Sequence, residues 1–255
     1  MDRMPVLFVG HGSPMNAIED NEFSRAWIAV GKALPRPKAI LCVSAHWETR
    51  GTQVTAMEKP RTIYDFYGFP PELYAMTYPA SGSPELARRV RDLVGTDGIT
   101  PDLSWGLDHG TWSVLSRLFP EADVPVIQLS LDVTKNAQAH YDLGRQLQPL
   151  RSEGILIIGS GNIVHNLRMV VFEDTAYDWA VKFDRKVKQW ILDDAYEPII
   201  QYDKQGREAA LSINSAEHYK PLLYVLGAKE AGEPVSFFAE KVWGGSLSMR
   251  SVKIG

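Results

Sequence analysis

The sequence predicts an α/β fold: a single domain over residues 1–255, with a central mixed, mostly parallel sheet flanked by helices on both faces. Three observations lead there. Short, continuously apolar runs recur along the chain, as expected of strands buried on both sides. Helix-period segments lie between them. No linker-like, repetitive or low-complexity stretch divides the 255 residues, which suffice for one large core.

In chain order, PVLFVG (5–10) and AILCVSAHW (39–47) read as the first two strands. PRTIYDFYGFPPELYAMTYPA (60–80) breaks the pattern, because its four prolines exclude a long helix. Its aromatics make it either a packed surface loop or a wall over a site for a planar substrate, with Tyr64, Phe66 and Tyr67 as candidate substrate contacts. SPELARRVRDLVG (83–95) predicts a helix with Ser83 as N-cap and Pro84 in its first turn. VPVIQLSL (124–131) and GILIIGSG (154–161) are further buried strands. Residues 173–194 repeat apolar side chains at helical spacing from Ala176 to Ile191. VSFFAEKV (235–242) and SLSMRSVKI (246–254) predict two closing strands around a Gly-Gly turn.

Composition narrows the function. With 27 basic against 31 acidic residues and no basic stripe, nucleic acid is a poor partner. No apolar run is long enough to span a membrane, and the N-terminus lacks the pattern of a secretory signal, so a cytoplasmic protein is expected. The single cysteine, Cys42, excludes an intrachain disulfide or a multi-thiolate metal site and reads as a core residue.

The six histidines are placed more tellingly than their number suggests. In LFVGHGSP, His11 ends a strand between two glycines, which permit a tight turn. His46 follows the second apolar run in SAHW, and His165 lies beyond IIGSGN. Ligand sites of open α/β sheets gather outside the carboxyl ends of strands, so these three are expected to converge. His109, in GLDHGTW, stands at a helix start; His218 falls in the first turn of an apolar helix interrupted by Pro221; His140 is mid-helix and structural. Neutral imidazoles suit Zn, Fe, Cu or Ni. The helical His-Glu-x-x-His signature, the Gly-x-Ser-x-Gly elbow and the phosphate loop are all missing. A mononuclear metal held by distant residues, with spare histidines for proton transfer, is what the sequence leaves.

GHGSP, SAHW, GLDHGTW, GSGNIVHN and EHYKPLLYVLGA, in that order between residues 10 and 228, resemble the class III extradiol ring-cleavage dioxygenases. Within them the chain is most similar to the 4,5-DOPA dioxygenase subgroup. The resemblance implies an α/β domain that cleaves a catechol such as DOPA with O2 at a non-haem Fe(II), a site that Zn(II) also fits. It implies His11, His46 and His218 as metal ligands, with Glu217 the alternative to its neighbour His218. His165 would be the acid/base and, before substrate binds, a fourth ligand; His109 would assist at the substrate. A monomer or small homo-oligomer is expected. A zinc-dependent hydrolase, or a non-catalytic metal or aromatic-ligand binding protein, stands as the alternative on the same scaffold.

Overall fold

The apolar runs form one mixed sheet in the computed structural model, which describes residues 3–96 and 98–255. Its strands are β1 (Val6–Gly10), β2 (Ala39–Thr49), β3 (Thr52–Thr55), β4 (Ile99–Asp102), β5 (Val126–Asp132), β6 (Ile155–Gly161) and β7 (Val235–Phe238). A two-stranded ribbon, β8 (Val242–Trp243) with β9 (Leu247–Ser248), precedes the last sheet strand, β10 (Ser251–Ile254). The eight-stranded order is β4-β3-β5-β2-β6-β1-β10-β7. The neighbours β5, β2, β6 and β1 are mutually parallel, so their carboxyl ends share one edge of the sheet.

Alternation along these strands explains why they read as unbroken apolar runs. Val6, Phe8, Leu41, Val43 and Ile157 face one core, while Leu7, Val9, Ile40, Cys42 and Ile158 face another. The first core packs on α5 (Ala137–Leu147), α7 (Asp178–Leu192) and α10 (Lys220–Gly227). The second packs on α1 (Glu22–Ala33) and α4 (His109–Leu118), where Trp27 and Trp112 are fully buried. Shorter helices α2 (Pro71–Tyr74), α6 (Pro149–Ser152), α8 (Tyr196–Ile200) and α9 (Arg207–Ser212) close the surface, and α3 (Pro84–Val94) starts at Ser83 as expected. Cys42 is a free, buried thiol whose pKa burial pushes up, which fits a core role. No helix among the described residues is long and apolar enough to cross a membrane.

Four expectations are corrected. Residues 173–177 are not helical: the Tyr177 N–H donates to Gly245 O and the Gly245 N–H to Thr175 O, tying this stretch to the Gly-Gly turn, and the helix begins at Asp178. The closing segments are each broken in two: Ala239 adopts φ +52° between β7 and β8, and Met249 and Arg250 separate β9 from β10. Pro221 starts α10 instead of interrupting it, in the first turn where a missing N–H costs nothing; His218 therefore precedes the helix. His46 lies within β2 and not beyond it. The β2–β5 register breaks between Val43 and Glu48, and such an irregularity redirects the side chains it carries.

Candidate metal centre

The carboxyl ends of β1 and β2 and the turn before α10 deliver three imidazoles to one point. His11 follows β1 directly, and its backbone N–H donates to Gly161 O at 3.0 Å. Gly12 turns the chain sharply away at φ +59°, a conformation that glycine adopts without strain. His46 is carried by the irregular end of β2, with its Nε2 3.2 Å from His11 Nε2. His218 is fixed through its backbone, whose carbonyl accepts the N–H of Asn162 at 2.8 Å just past β6. One ligand atom from each of His11, His46 and His218 lies within 4.8 Å of the others.

Each of these rings has an outward partner. His11 Nδ1 lies 2.9 Å from Ser160 Oγ, His218 Nδ1 lies 3.0 Å from Glu217 Oε1, and His46 Nδ1 lies 3.5 Å from Asp65 Oδ2. Such outer contacts set the tautomer and aim the other nitrogen inward. Burial, reinforced by the neighbouring histidines, holds His11 and His218 well below the usual imidazole range, and lowers His46 to about 3. The three rings are therefore neutral at pH 7, with His11 Nε2 facing His46 Nε2 across 3.2 Å. Neutral nitrogen donors of this kind fit a divalent transition metal such as iron or zinc.

His109 opens α4, whose N-cap Asp108 accepts the Thr111 N–H at 3.1 Å. Asp108 is itself held by Ser44 Oγ at 2.7 Å and Gln128 Nε2 at 2.6 Å. Its burial, then the nearby Asp65 charge, raises its pKa. His109 Nδ1 is 2.9 Å from Asp65 Oδ2, an ion-pair distance without the alignment of a good hydrogen bond. Burial would raise Asp65, but contacts with His109 and His46 outweigh it and hold the carboxyl below its usual range. His165 stacks on His218, centroids 3.4 Å apart and planes within 8°. It groups with Glu217 and His218 and stands apart from the His11–His46–His218 set. Burial lowers its pKa to about 4.

Above the histidines lies a cavity of about 930 Å³. His11, His46, His109, His165 and His218 all line it. Phe66, Tyr67 and Phe69 form one wall, so the aromatic segment does border the cleft. Leu167, Val170 and Phe172 face it from the loop after β6. Tyr64 is a correction: it is not part of the lining. Its hydroxyl donates to Met76 O at 2.6 Å and its ring packs on Phe66 and Trp112, so it braces the wall from behind.

Residues 5–243 match the family model of the catalytic LigB subunit of aromatic ring-opening dioxygenase. The chain belongs to the LigB family. It is 51% identical to a 4,5-DOPA dioxygenase extradiol of Escherichia coli K12, over 99% of this chain and 95% of that one. It is 38% identical to the Beta vulgaris protein of the same name, over 97% and 95% respectively. A crystal structure of an uncharacterized Escherichia coli K12 protein superimposes with a TM-score of 0.86 at 47% identity, covering 99% of this chain and all of that one. The LigB-family chain is thus an extradiol dioxygenase, and not the zinc-dependent hydrolase or non-catalytic binding protein that stood as alternatives.

Two polar residues of this LigB-family site escape a reading of the sequence. Asp65 sits between aromatics in a proline-rich segment, where a carboxylate reads as solvated. Ser160 hides inside an apolar strand. The one available signal was Ser160 itself, a hydroxyl in a strand buried along its whole length, which must find a partner.

Proposed function

We propose that this LigB-family enzyme opens the aromatic ring of a catechol such as DOPA by 4,5-cleavage, consuming O2 at Fe(II) held by His11, His46 and His218. The observation that carries this reading is the trio of buried, neutral imidazoles, each with an outer partner on Nδ1, at the floor of an aromatic-walled cavity. Bound there, Fe(II) would supply Lewis acidity toward the catechol oxygens and an electron path to O2. Zn(II) fits the same nitrogen donors and is expected in purified protein.

The chain's own groups supply the rest. Phe66 and Tyr67 supply aromatic lining for the ring. His109 and His165 stand beside the ligand trio as proton carriers. At pH 7 a His165 imidazole with a pKa near 4 is neutral, so its free nitrogen can accept a hydrogen bond from a substrate hydroxyl. Soluble small molecules, the catechol and O2, are the only partners this chemistry needs.

The test is a catechol panel given to Fe(II)-reconstituted protein, with oxygen uptake and product colour recorded together. DOPA should be consumed with stoichiometric O2 under Fe(II) and not under Zn(II). Oxygen uptake by no member of the panel would overturn the reading.

A further inference from the structure

Asp65 comes from the aromatic segment, yet its carboxylate reaches into the histidine cluster. Its Oδ1 accepts the backbone N–H of His109 at 2.9 Å. Its Oδ2 lies 2.9 Å from His109 Nδ1 and 3.5 Å from His46 Nδ1. The buried His109 Nδ1 makes no aligned hydrogen bond among the described residues, and the Asp65 carboxylate is the charged group set against it. Next in sequence, Phe66 packs edge-on against the His109 ring, with centroids 5.5 Å apart.

An ionised carboxylate only accepts hydrogen bonds. A lone pair on either Nδ1 would face its negative charge, so a neutral ring is favoured with the proton on that nitrogen. Both rings then keep their Nε2 lone pairs free. For His46 that nitrogen faces His11 Nε2. His109 falls in a group with His46 and Asp65 and not in the His11–His46–His218 set, and it lines the cavity with Phe66.

We propose that Asp65 is a positioning residue: it holds His109 with Nδ1 protonated, so that His109 Nε2 accepts the hydrogen of a bound substrate hydroxyl. This rests on the catechol reading of the cavity. As the hydroxyl ionises, its O–H bond breaks, the electron pair stays on oxygen and the proton passes to His109 Nε2. The imidazolium so formed lies against Asp65, which balances its charge. The aromatic segment thereby serves two ends, a wall for the ring and an anchor for the group that takes its proton.

Asp65→Asn separates these roles. If the amide oxygen takes over the His109 N–H, its NH2 is left facing Nδ1, which favours the other tautomer and leaves Nε2 as a donor. Zinc-loaded protein is titrated with 4-nitrocatechol, whose absorbance reports how many hydroxyl protons it has lost, and zinc content is measured on the same sample. Iron-loaded protein gives kcat and KM for DOPA. Because Asp65 also backs His46, zinc affinity should weaken by about 10–100-fold. With the site saturated, the expected result is 4-nitrocatechol bound in a more protonated form, and kcat per bound metal lowered by about 10²–10⁴ with KM little changed. Asp65→Glu should restore part of both signals. A wild-type 4-nitrocatechol spectrum in Asp65→Asn would overturn the proposal, as would a fall in kcat that only tracks loss of zinc. If the wild type ionises 4-nitrocatechol in an Asp65-dependent way yet cleaves no catechol, the positioning role stands and the ring-opening reading fails.

Discussion

Ser160 Oγ lies 2.9 Å from His11 Nδ1 and donates its own proton to Gly110 O at 2.5 Å. A hydroxyl has one proton, so with that proton committed the imidazole must be the donor. His11 therefore carries hydrogen on Nδ1 and presents Nε2 toward His46. Removing the hydroxyl in Ser160→Ala should weaken zinc binding by about 10–100-fold, the usual effect of losing an outer-shell partner. Competition against a chromogenic chelator measures it; unchanged affinity would mean that Ser160 does not orient the ring.

Gly110 is the floor on which His46 rests. A Cβ there would stand 2.6 Å from Ser44 Oγ and 2.8 Å from His46 Cδ2. Gly110→Ala should cost about 1–3 kcal/mol of stability through overpacking. It should also lower metal affinity, because His46 is one of the two side chains, with Ser44, that must move. Urea denaturation and zinc titration on one preparation check both, and a stable variant with full affinity would refute it.

His165 and His11 should fail differently. His165→Ala is expected to keep most of the bound metal while losing about 10²–10⁴-fold in turnover, as for a lost proton carrier. His11→Ala should lose the metal itself. Metal analysis beside oxygen uptake distinguishes them. Parallel loss of both in His165→Ala would make His165 a ligand and leave proton transfer to His109.

Tyr67 lines the cavity yet is 92% exposed. So exposed a side chain contributes little to folding, and Tyr67→Ala should shift stability by no more than about 0.5 kcal/mol. Its effect should appear in KM for the catechol, which should rise while metal content holds. Equal KM values would place Tyr67 outside the substrate's reach.

Acid should destabilise the fold through His140, which the reaction does not use. It is fully buried, with Nδ1 2.9 Å from the Tyr224 hydroxyl. Burial first, then the charges of Lys220 and Lys135, lower its pKa to about 4. The unfolded chain, with an imidazole pKa of about 6.5, binds the extra proton between those values. This contribution is complete above about pH 6.5 and is lost as pH falls toward 4, by about 1.4 kcal/mol per pH unit. His140→Phe should be less stable at neutral pH, because Tyr224 loses its partner, but its stability should fall by one proton's slope less on acidification. Parallel curves from urea denaturation would contradict this.

By itself the sequence determined the sheet, because strands buried on both faces must be apolar at every position, and that leaves an unmistakable run. It also marked His11 and the turn after β6, since a polar residue among glycines at a strand's end is written locally. The start of α7 was illegible: Ala176 fits helical spacing, and only the backbone bonds of residues 175 and 177 to Gly245 draw that stretch away. Only the tertiary structure shows how the neighbours Glu217 and His218 differ: the imidazole groups with His11 and His46, and the carboxylate lies behind it on Nδ1. It alone brought in Asp65, which is 44 residues from the His109 amide it binds. Local patterns encode what one segment needs in order to be buried. Which segments then meet depends on the order of strands in the sheet, fixed by the packing of both cores at once.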